Sequence, residues 1–393
     1  MSPTSSGGDP RVDFDLTPEQ REFQHAVRAF AEDVVAPAAS GYDEREEFPL
    51  EVVRRMAELG LFGIPFPDRY GGLDADLLTF CLCVEELARA DASVALTLEA
   101  AVCLGANPIF RFGTEEQKER WLAPMARGLA IGAFALTEPG GGSDVRAIAT
   151  TARLEGDEWV LDGTKAFITN AGTPLTSVCI VGARTEDGFE AIVVPTDSPG
   201  FSVGPPYRKL GWRASDTREV VLRGCRVPRD HLLGERGRGL AELLGILDDG
   251  RIAIAAMAVG LARACLEESV RYASAREAFG RPIGAFEAIG FKLADMRVAV
   301  DTARLAYLRA AWLRDHGRPC TTEAAIAKLH ASEVAVSCAR EAVQVHGGYG
   351  VMEELPVARW YRDAKALEIG EGTSEIQRLV IARDLGLPGS ELR

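Results

Sequence analysis

Apolar positions in the first third of the chain recur at helical spacing. Phe23, Val27, Phe30 and Val34 are separated by four, three and four residues, which puts them on one helical face. Thr17 and Pro18 supply the start, a capping hydroxyl followed by a proline whose missing N–H is not needed at the first helical position. Pro37 is predicted to end this helix. A second run, Leu50 to Leu59, stops at Gly60, and Thr114-Glu115-Glu116-Gln117 has the form of a capping box ahead of another helix. From about Gly132 the period shortens. Glu158 to Leu161, then Asp162-Gly163, then Lys165 to Thr169 predicts a hairpin. Val178 to Val181, Ala191 to Val194 and Glu219 to Leu222 predict further strands, and this block closes near Asp230. From about Leu240 the helical period returns, with Leu293, Met296, Val300, Ala303, Tyr307 and Ala310 forming one long stripe.

These patterns predict an α+β fold, mainly α. An N-terminal helical domain (residues 1–131) precedes a middle antiparallel β-barrel-like domain (132–232) and a C-terminal four-helix bundle (233–393). Strand and helix do not alternate, which argues against a doubly wound nucleotide fold. At 393 residues the chain exceeds one ordinary core and suggests two or three packed units. A formal net charge of -14 makes nucleic acid a poor partner, although basic residues can still gather around a small anion. The eight cysteines lack metal or redox spacing and read as buried, reduced thiols. Residues 1–10 read as a frayed tail, and no segment is expected to approach the roughly 18 apolar residues that span a bilayer.

Three stretches carry residues suited to ligand loops. Thr137-Glu138-Pro139-Gly140-Gly141-Gly142-Ser143-Asp144 would let backbone approach a ligand, but it has neither G-x-G-x-x-G nor G-K-[ST] and taken alone reads more readily as a plain surface loop. In Gln344-Val345-His346-Gly347-Gly348-Tyr349-Gly350, Gly347 reads as a helix stop and His346 as a packed or capping residue. In Glu368 to Arg378, Glu371 lies between two glycines. Taken alone it is a solvated loop carboxylate or a helix-start charge.

Together with Phe167-Ile168-Thr169-Asn170, Arg276 through Phe279-Gly280, and Arg362-Asp363-Ala364-Lys365, these stretches resemble the acyl-CoA dehydrogenase family in order and spacing over nearly the whole chain. The independently read helix–β–helix layout is also that family's. The resemblance implies an FAD cofactor, an acyl-CoA substrate and a homotetramer. It also implies electron-transfer flavoprotein as acceptor; the reduced thiols point to a cytoplasmic location, and the lack of a long apolar segment to no membrane partner.

By resemblance Glu371 is the catalytic base. It takes a proton from the carbon next to the thioester while the flavin takes a hydride, leaving a trans-2-enoyl-CoA. In one branch the base comes instead from the position of Gly250, which here has no side chain. The implied cofactor contacts are Leu136 and Thr137 beside the flavin ring, Phe167 where the family often has Trp, and Thr169. Phe279, Gly347, Gly348 and Thr373 join them. Arg276 and Gln344 reach the FAD diphosphate and adenosine half of a neighbouring subunit, and Arg suits a diphosphate because its fork binds two oxygens. The implied substrate contacts are Ser143 near the pantetheine, Asp248 and Arg251 near the CoA channel, and Gly370 and Gly372 around the base. Read from the residues alone, Arg251 is a partner for Asp248 or Asp249 in the same helical turn. Glu287 stands where the family has Gln after Phe286. Gly370 replaces a tyrosine of many straight-chain enzymes. That points to a short, branched or bulky acyl group unless another residue refills the space. Three other readings share the fold: a dehydrogenase of carrier-protein-bound acyl groups, an oxidase, and a flavin-free scaffold.

Overall fold

The computed structural model describes residues 15–387, so the predicted tail lies outside the described residues. Helix α1 (Pro18–Phe30) opens with the expected cap. The Thr17 hydroxyl accepts from the Gln20 N–H, and the Gln20 side chain accepts from the Thr17 N–H. Pro37 does not end the helix. A π-helical stretch, Ala31–Val35, runs directly into α2 (Ala36–Arg45), and Pro37 lies in the first turn of α2. The wider turn absorbs the hydrogen bond that proline cannot make, so the helical path continues. Helix α3 (Leu50–Glu58) stops before Gly60, whose φ is +71°.

Helices α4 (Leu77–Ala90) and α5 (Ala92–Glu99) are capped by Asp76 and Asp91. A second π stretch, Ala100–Ala106, joins α5 to α6 (Asn107–Phe112). Contrary to the sequence expectation, the run Ala92–Phe112 is long and apolar enough to cross a membrane, yet 83% of its apolar window is buried inside the protein. It is a core helix. The Thr114 capping box starts α7 (Glu115–Gln117), and a third π stretch leads to α8 (Ala123–Ala126).

The middle block is one sheet of eight strands. They are β1 (Ile131–Ala135), β2 (Thr151–Glu155), β3 (Glu158–Thr169), β4 (Thr176–Thr185), β5 (Gly188–Pro195), β6 (Phe201–Val203), β7 (Thr217–Pro228) and β8 (Leu232–Leu233). Their order is β6-β7-β3-β2-β4-β5-β8, with β1 joined to β4; the ends do not meet, so the sheet is barrel-like but open. Pairing is antiparallel except for β1 with β4 and one β2–β4 bridge. Asp162-Gly163 is not a turn. Strand β3 runs through it with a bulge against β7, and the hairpin lies earlier, between Glu155 and Glu158. A Cβ on Gly163 would lie 2.7 Å from Thr150 Cβ, and Asp162 accepts from the Gly224 N–H. A glycine beside a polar residue marks a close approach as readily as a turn. Along β4, Val178 and Ile180 face the main core while Cys179 and Val181 face a second core within the sheet.

The last block holds α9 (Gly239–Ala275), a short hairpin of β9 (Glu277–Ala278) and β10 (Arg281–Pro282), then α10 (Glu287–Asp315), α11 (Thr321–His346), α12 (Pro356–Leu367) and α13 (Ser374–Asp384). The predicted α10 stripe faces inward. Helices from both ends of the chain share one apolar core: Phe80 and Leu98 pack with Ala256, Tyr307 and Ala335. Buried Glu85 of α4 is fastened by Arg263, Arg304 and Tyr307. The eight cysteines are free and buried, as expected.

Candidate active site

Glu371 lies in the link between α12 and α13, and the loop turns its carboxylate inward. Glu371 (φ +54°) and Gly372 (φ +96°) are both left-handed. Glycine adopts that region freely and glutamate does not, so Glu371 carries local strain. The Gly372 carbonyl accepts from the Lys328 ammonium at 2.7 Å and from the Gln377 amide at 2.9 Å. The Thr373 hydroxyl caps α13 by accepting from the Ile376 N–H at 3.3 Å. Residue 371 as a whole is half-buried, but both carboxylate oxygens are out of solvent and accept from no N–H or hydroxyl group. Across from them is Gly250 in α9. A Cβ there would lie 2.9 Å from Glu371 Cδ and would overlap Oε2. The missing side chain at 250 makes the room that Glu371 occupies.

A second carboxylate faces the first. Glu99, at the end of α5, is fully buried, and neither of its oxygens has a donor of its own. Desolvation pushes the Glu99 carboxyl well above the ordinary carboxylate range, and the charge of Glu371 pushes it further. Glu371 is also raised by desolvation; a hydrogen bond from Glu99, then Lys328 and Arg251, oppose the shift. The pair therefore holds a proton, most of it on Glu99, and Glu371 is the member that ionises. Burial lowers the Lys328 ammonium to about 8 despite the nearby Glu371 charge. Arg251 donates to Asp248 at 2.9 Å, and the other Asp248 oxygen accepts from the Thr321 hydroxyl at 2.6 Å. Asp249 is held separately, by Arg314 and Asn107.

The remaining candidates fall into two groups. Leu136 and Thr137 lie beside β3, where the Ala166 N–H donates to the Thr137 carbonyl. Below them buried Glu138 accepts from Lys165 at 2.8 Å and from the Ala149 and Thr150 amides. Phe167 and Thr169 follow on β3, and Asn170 donates to the carbonyl of Thr97, two residues before Glu99. Ser143 is exposed on the glycine loop. The second group lies at the other end of the bundle. Arg276 caps α9 near the Tyr349 ring, and Gln344, Gly347 and Gly348 lie exposed at the end of α11. Gly347 is the predicted helix stop, with φ +59°, and His346 is packed on Tyr272. Lys328 and Gln344 are sixteen residues apart on α11, a separation of about 24 Å along the axis. One chain does not bring its second group to Glu371.

A protein of Bacillus subtilis strain 168 named probable acyl-CoA dehydrogenase YngJ is 50% identical over 95% of this chain and 100% of its own length. The chain belongs to the acyl-CoA dehydrogenase family. The family's N-terminal, middle and C-terminal domains match residues 17–129, 133–225 and 237–386 of this dehydrogenase. The mitochondrial short-chain specific acyl-CoA dehydrogenase of Mus musculus is 44% identical over 94% of this chain and 91% of its own. The butyryl-CoA dehydrogenase structure from Megasphaera elsdenii superposes with a TM-score of 0.93 at 42% identity, covering 96% of this chain and 100% of that one.

Members of this family depend on FAD, and the dehydrogenase has surfaces that fit it. Phe167 and Phe279 are 65% and 96% exposed, and both have left-handed backbones, at φ +60° and +53°. Bulky residues seldom hold that conformation, and where they do they cluster at ligand sites. Phe279, three residues from Arg276, suits an aromatic group with a diphosphate tail, and Phe167, in the first group, suits a flat ring. Sequence reasoning missed three site residues. Glu99 had a signal, as the one carboxylate inside the apolar run Ala92–Phe112. Lys328 had none beyond being a cation on a buried helix face. Trp212 packs against Gly370, where a Cβ would meet its ring at 3.2 Å, so an indole occupies the space that Gly370 leaves.

Proposed function

We propose that this dehydrogenase oxidises a short-chain acyl-CoA to the trans-2-enoyl-CoA, with Glu371 as the base. The buried Glu371 carboxylate in front of Gly250, with no N–H or hydroxyl donor on it, carries this reading. A proton next to a thioester carbonyl is only weakly acidic, so a base in water removes it slowly. Here desolvation raises the basicity of Glu371, while Lys328 and Arg251 keep it ionised enough to act. The Glu371 N–H donates to no group among the described residues and is free to stabilise charge on the thioester oxygen. Glu99 shares its proton with Glu371 and withholds a second negative charge from the site. FAD, when bound, supplies the two-electron acceptor for the hydride from the neighbouring carbon.

Leu136, Thr137, Phe167, Thr169, Phe279 and Thr373 would hold the flavin. Arg276, Gln344, Gly347 and Gly348 would serve the cofactor of a neighbouring subunit, which the separation along α11 supports and which makes a homotetramer the working assembly. Ser143, Asp248, Arg251, Gly370 and Gly372 would meet the substrate. Short acyl groups are favoured by the likeness to the short-chain and butyryl-CoA enzymes. Electron-transfer flavoprotein is the acceptor the family reading supplies. The test is anaerobic titration of the holoenzyme with butyryl-, isobutyryl-, isovaleryl- and octanoyl-CoA. Butyryl-CoA should bleach the visible flavin band. Bleaching by carrier-bound acyl groups and by none of these CoA thioesters would overturn the substrate assignment.

A further inference from the structure

We infer that Trp212 is a specificity-determining residue of the acyl pocket, supplying from the β domain the wall that Gly370 does not. This rests on the proposed role of Glu371. A Cβ on Gly370 would lie 3.2 Å from Cη2 and 3.3 Å from Cζ3 of Trp212, with the next neighbour, the Ala366 carbonyl, at 3.6 Å. The rim of the indole therefore stands where a side chain preceding Glu371 would begin. Trp212 lies in the connection between β6 and β7 and is left-handed, at φ +52°. That conformation is costly for a bulky residue and persists only where the surroundings impose it.

The surroundings do so at three successive residues. The Leu210 carbonyl accepts from Arg362 at 3.2 Å. Gly211 lies so close to α12 that a Cβ would come within 2.7 Å of Asp363 Cα. The Trp212 N–H donates to the buried Asp363 carboxylate at 2.6 Å, and its carbonyl accepts from the N–H and hydroxyl of Ser215 at 3.0 and 2.9 Å. The indole N–H is buried without a partner, so packing and not a hydrogen bond sets the ring's place. The connection spends its constraints on aiming one ring at residue 370. A strand connection has no need of that, and a pocket next to Glu371 does.

The experiment uses the FAD-loaded enzyme with Trp212→Ala and Trp212→Leu. Flavin content and thermal midpoint check folding, and the leucine variant keeps apolar fill if the alanine variant is unstable. The expected result is a rise of about 10- to 200-fold in kcat/KM for isovaleryl-CoA relative to butyryl-CoA, the range that pocket methylenes command. Binding of the matching enoyl-CoA products by calorimetry should shift the same way. Gly370→Tyr alone should lose butyryl-CoA activity, and Gly370→Tyr with Trp212→Ala should recover part of it. If both Trp212 variants keep their selectivity within threefold while butyryl-CoA still bleaches the flavin, the inference is wrong. If no acyl-CoA bleaches the wild-type flavin, the Glu371 reading falls first and takes this one with it.

Discussion

Gly250→Ala adds one methyl group to a helix and should disable the enzyme without unfolding it. The new carbon would start 2.9 Å from Glu371 Cδ, whereas ordinary contact begins at 3.4 Å, so Cδ must retreat by at least 0.5 Å (3.4 − 2.9) and the overlapped Oε2 by more than 1 Å. Helix α9 is buried along most of its length and Glu371 is in a loop, so the carboxylate moves and the helix does not. A misplacement of about 1 Å costs about 10²-fold in rate, or about 2.7 kcal/mol at 1.36 kcal/mol per tenfold. Glycine to alanine inside a helix is otherwise favourable by roughly 0.5–1 kcal/mol, so stability should change little. The assay is anaerobic stopped-flow reduction of the flavin by saturating butyryl-CoA in a single turnover. Gly250→Ala with Glu371→Gln should be hardly slower than Glu371→Gln alone, because both changes remove the same group. A single variant within fivefold of wild type, or a double variant whose losses simply multiply, would refute the steric argument.

Glu371→Gln should retain FAD and lose at least about 10²-fold in the same assay, the lower bound for loss of a general base. Glu99→Ala removes the hydrogen bond that holds Glu371 down, so the acid limb of the pH–rate profile should move to higher pH. Glu99→Gln keeps a donor and should move it less; an unmoved limb in the alanine variant would show that the pair does not share a proton. Lys328 is buried with its pKa lowered from 10.5 to about 8. The folded state thus binds fewer protons than the unfolded state between those values. The burial penalty is complete below pH 8 and is relieved as pH rises through 10.5. Relative to Lys328→Met, wild-type stability should rise over that window by up to about 3 kcal/mol, from about 2.5 units at 1.36 kcal/mol each. Denaturant midpoints at pH 7.5, 9 and 10 measure it, and a constant difference would contradict it.

Periodicity was enough to place most helices, because a buried face repeats wherever a helix meets a core. It failed where local chemistry has two outcomes. Pro37 breaks an α-helix but is tolerated two residues after a π stretch, and nothing in the sequence around Ala31–Val35 marks that stretch. Asp162-Gly163 suits a hairpin, yet Thr150 needed a neighbour without a side chain. The site divided in the same way. The interest of Glu371 and Gly250 came through the family resemblance; read from the chain alone, Glu371 was a solvated loop carboxylate, whereas its oxygens are buried. Glu99, Lys328 and Trp212 came through neither way, since each reaches residues 370–372 from a different element more than forty residues away in sequence. Residue type alone does not show such convergence.

The π stretch Ala100–Ala106 has a consequence for how this helix tolerates insertion and deletion. It follows directly on Glu99, which faces Glu371, and carries near its own end Gly105, where a Cβ would lie 2.6 Å from the Gly132 carbonyl of β1. An α-helix turns about 100° per residue, and a π turn accommodates one surplus residue. Losing a single residue there would straighten the helix into regular α geometry and swing one of those two contacts around the axis. The run Ala92–Phe112 would still look like a good helix, while either the acid pair or the strand contact would be facing the wrong way.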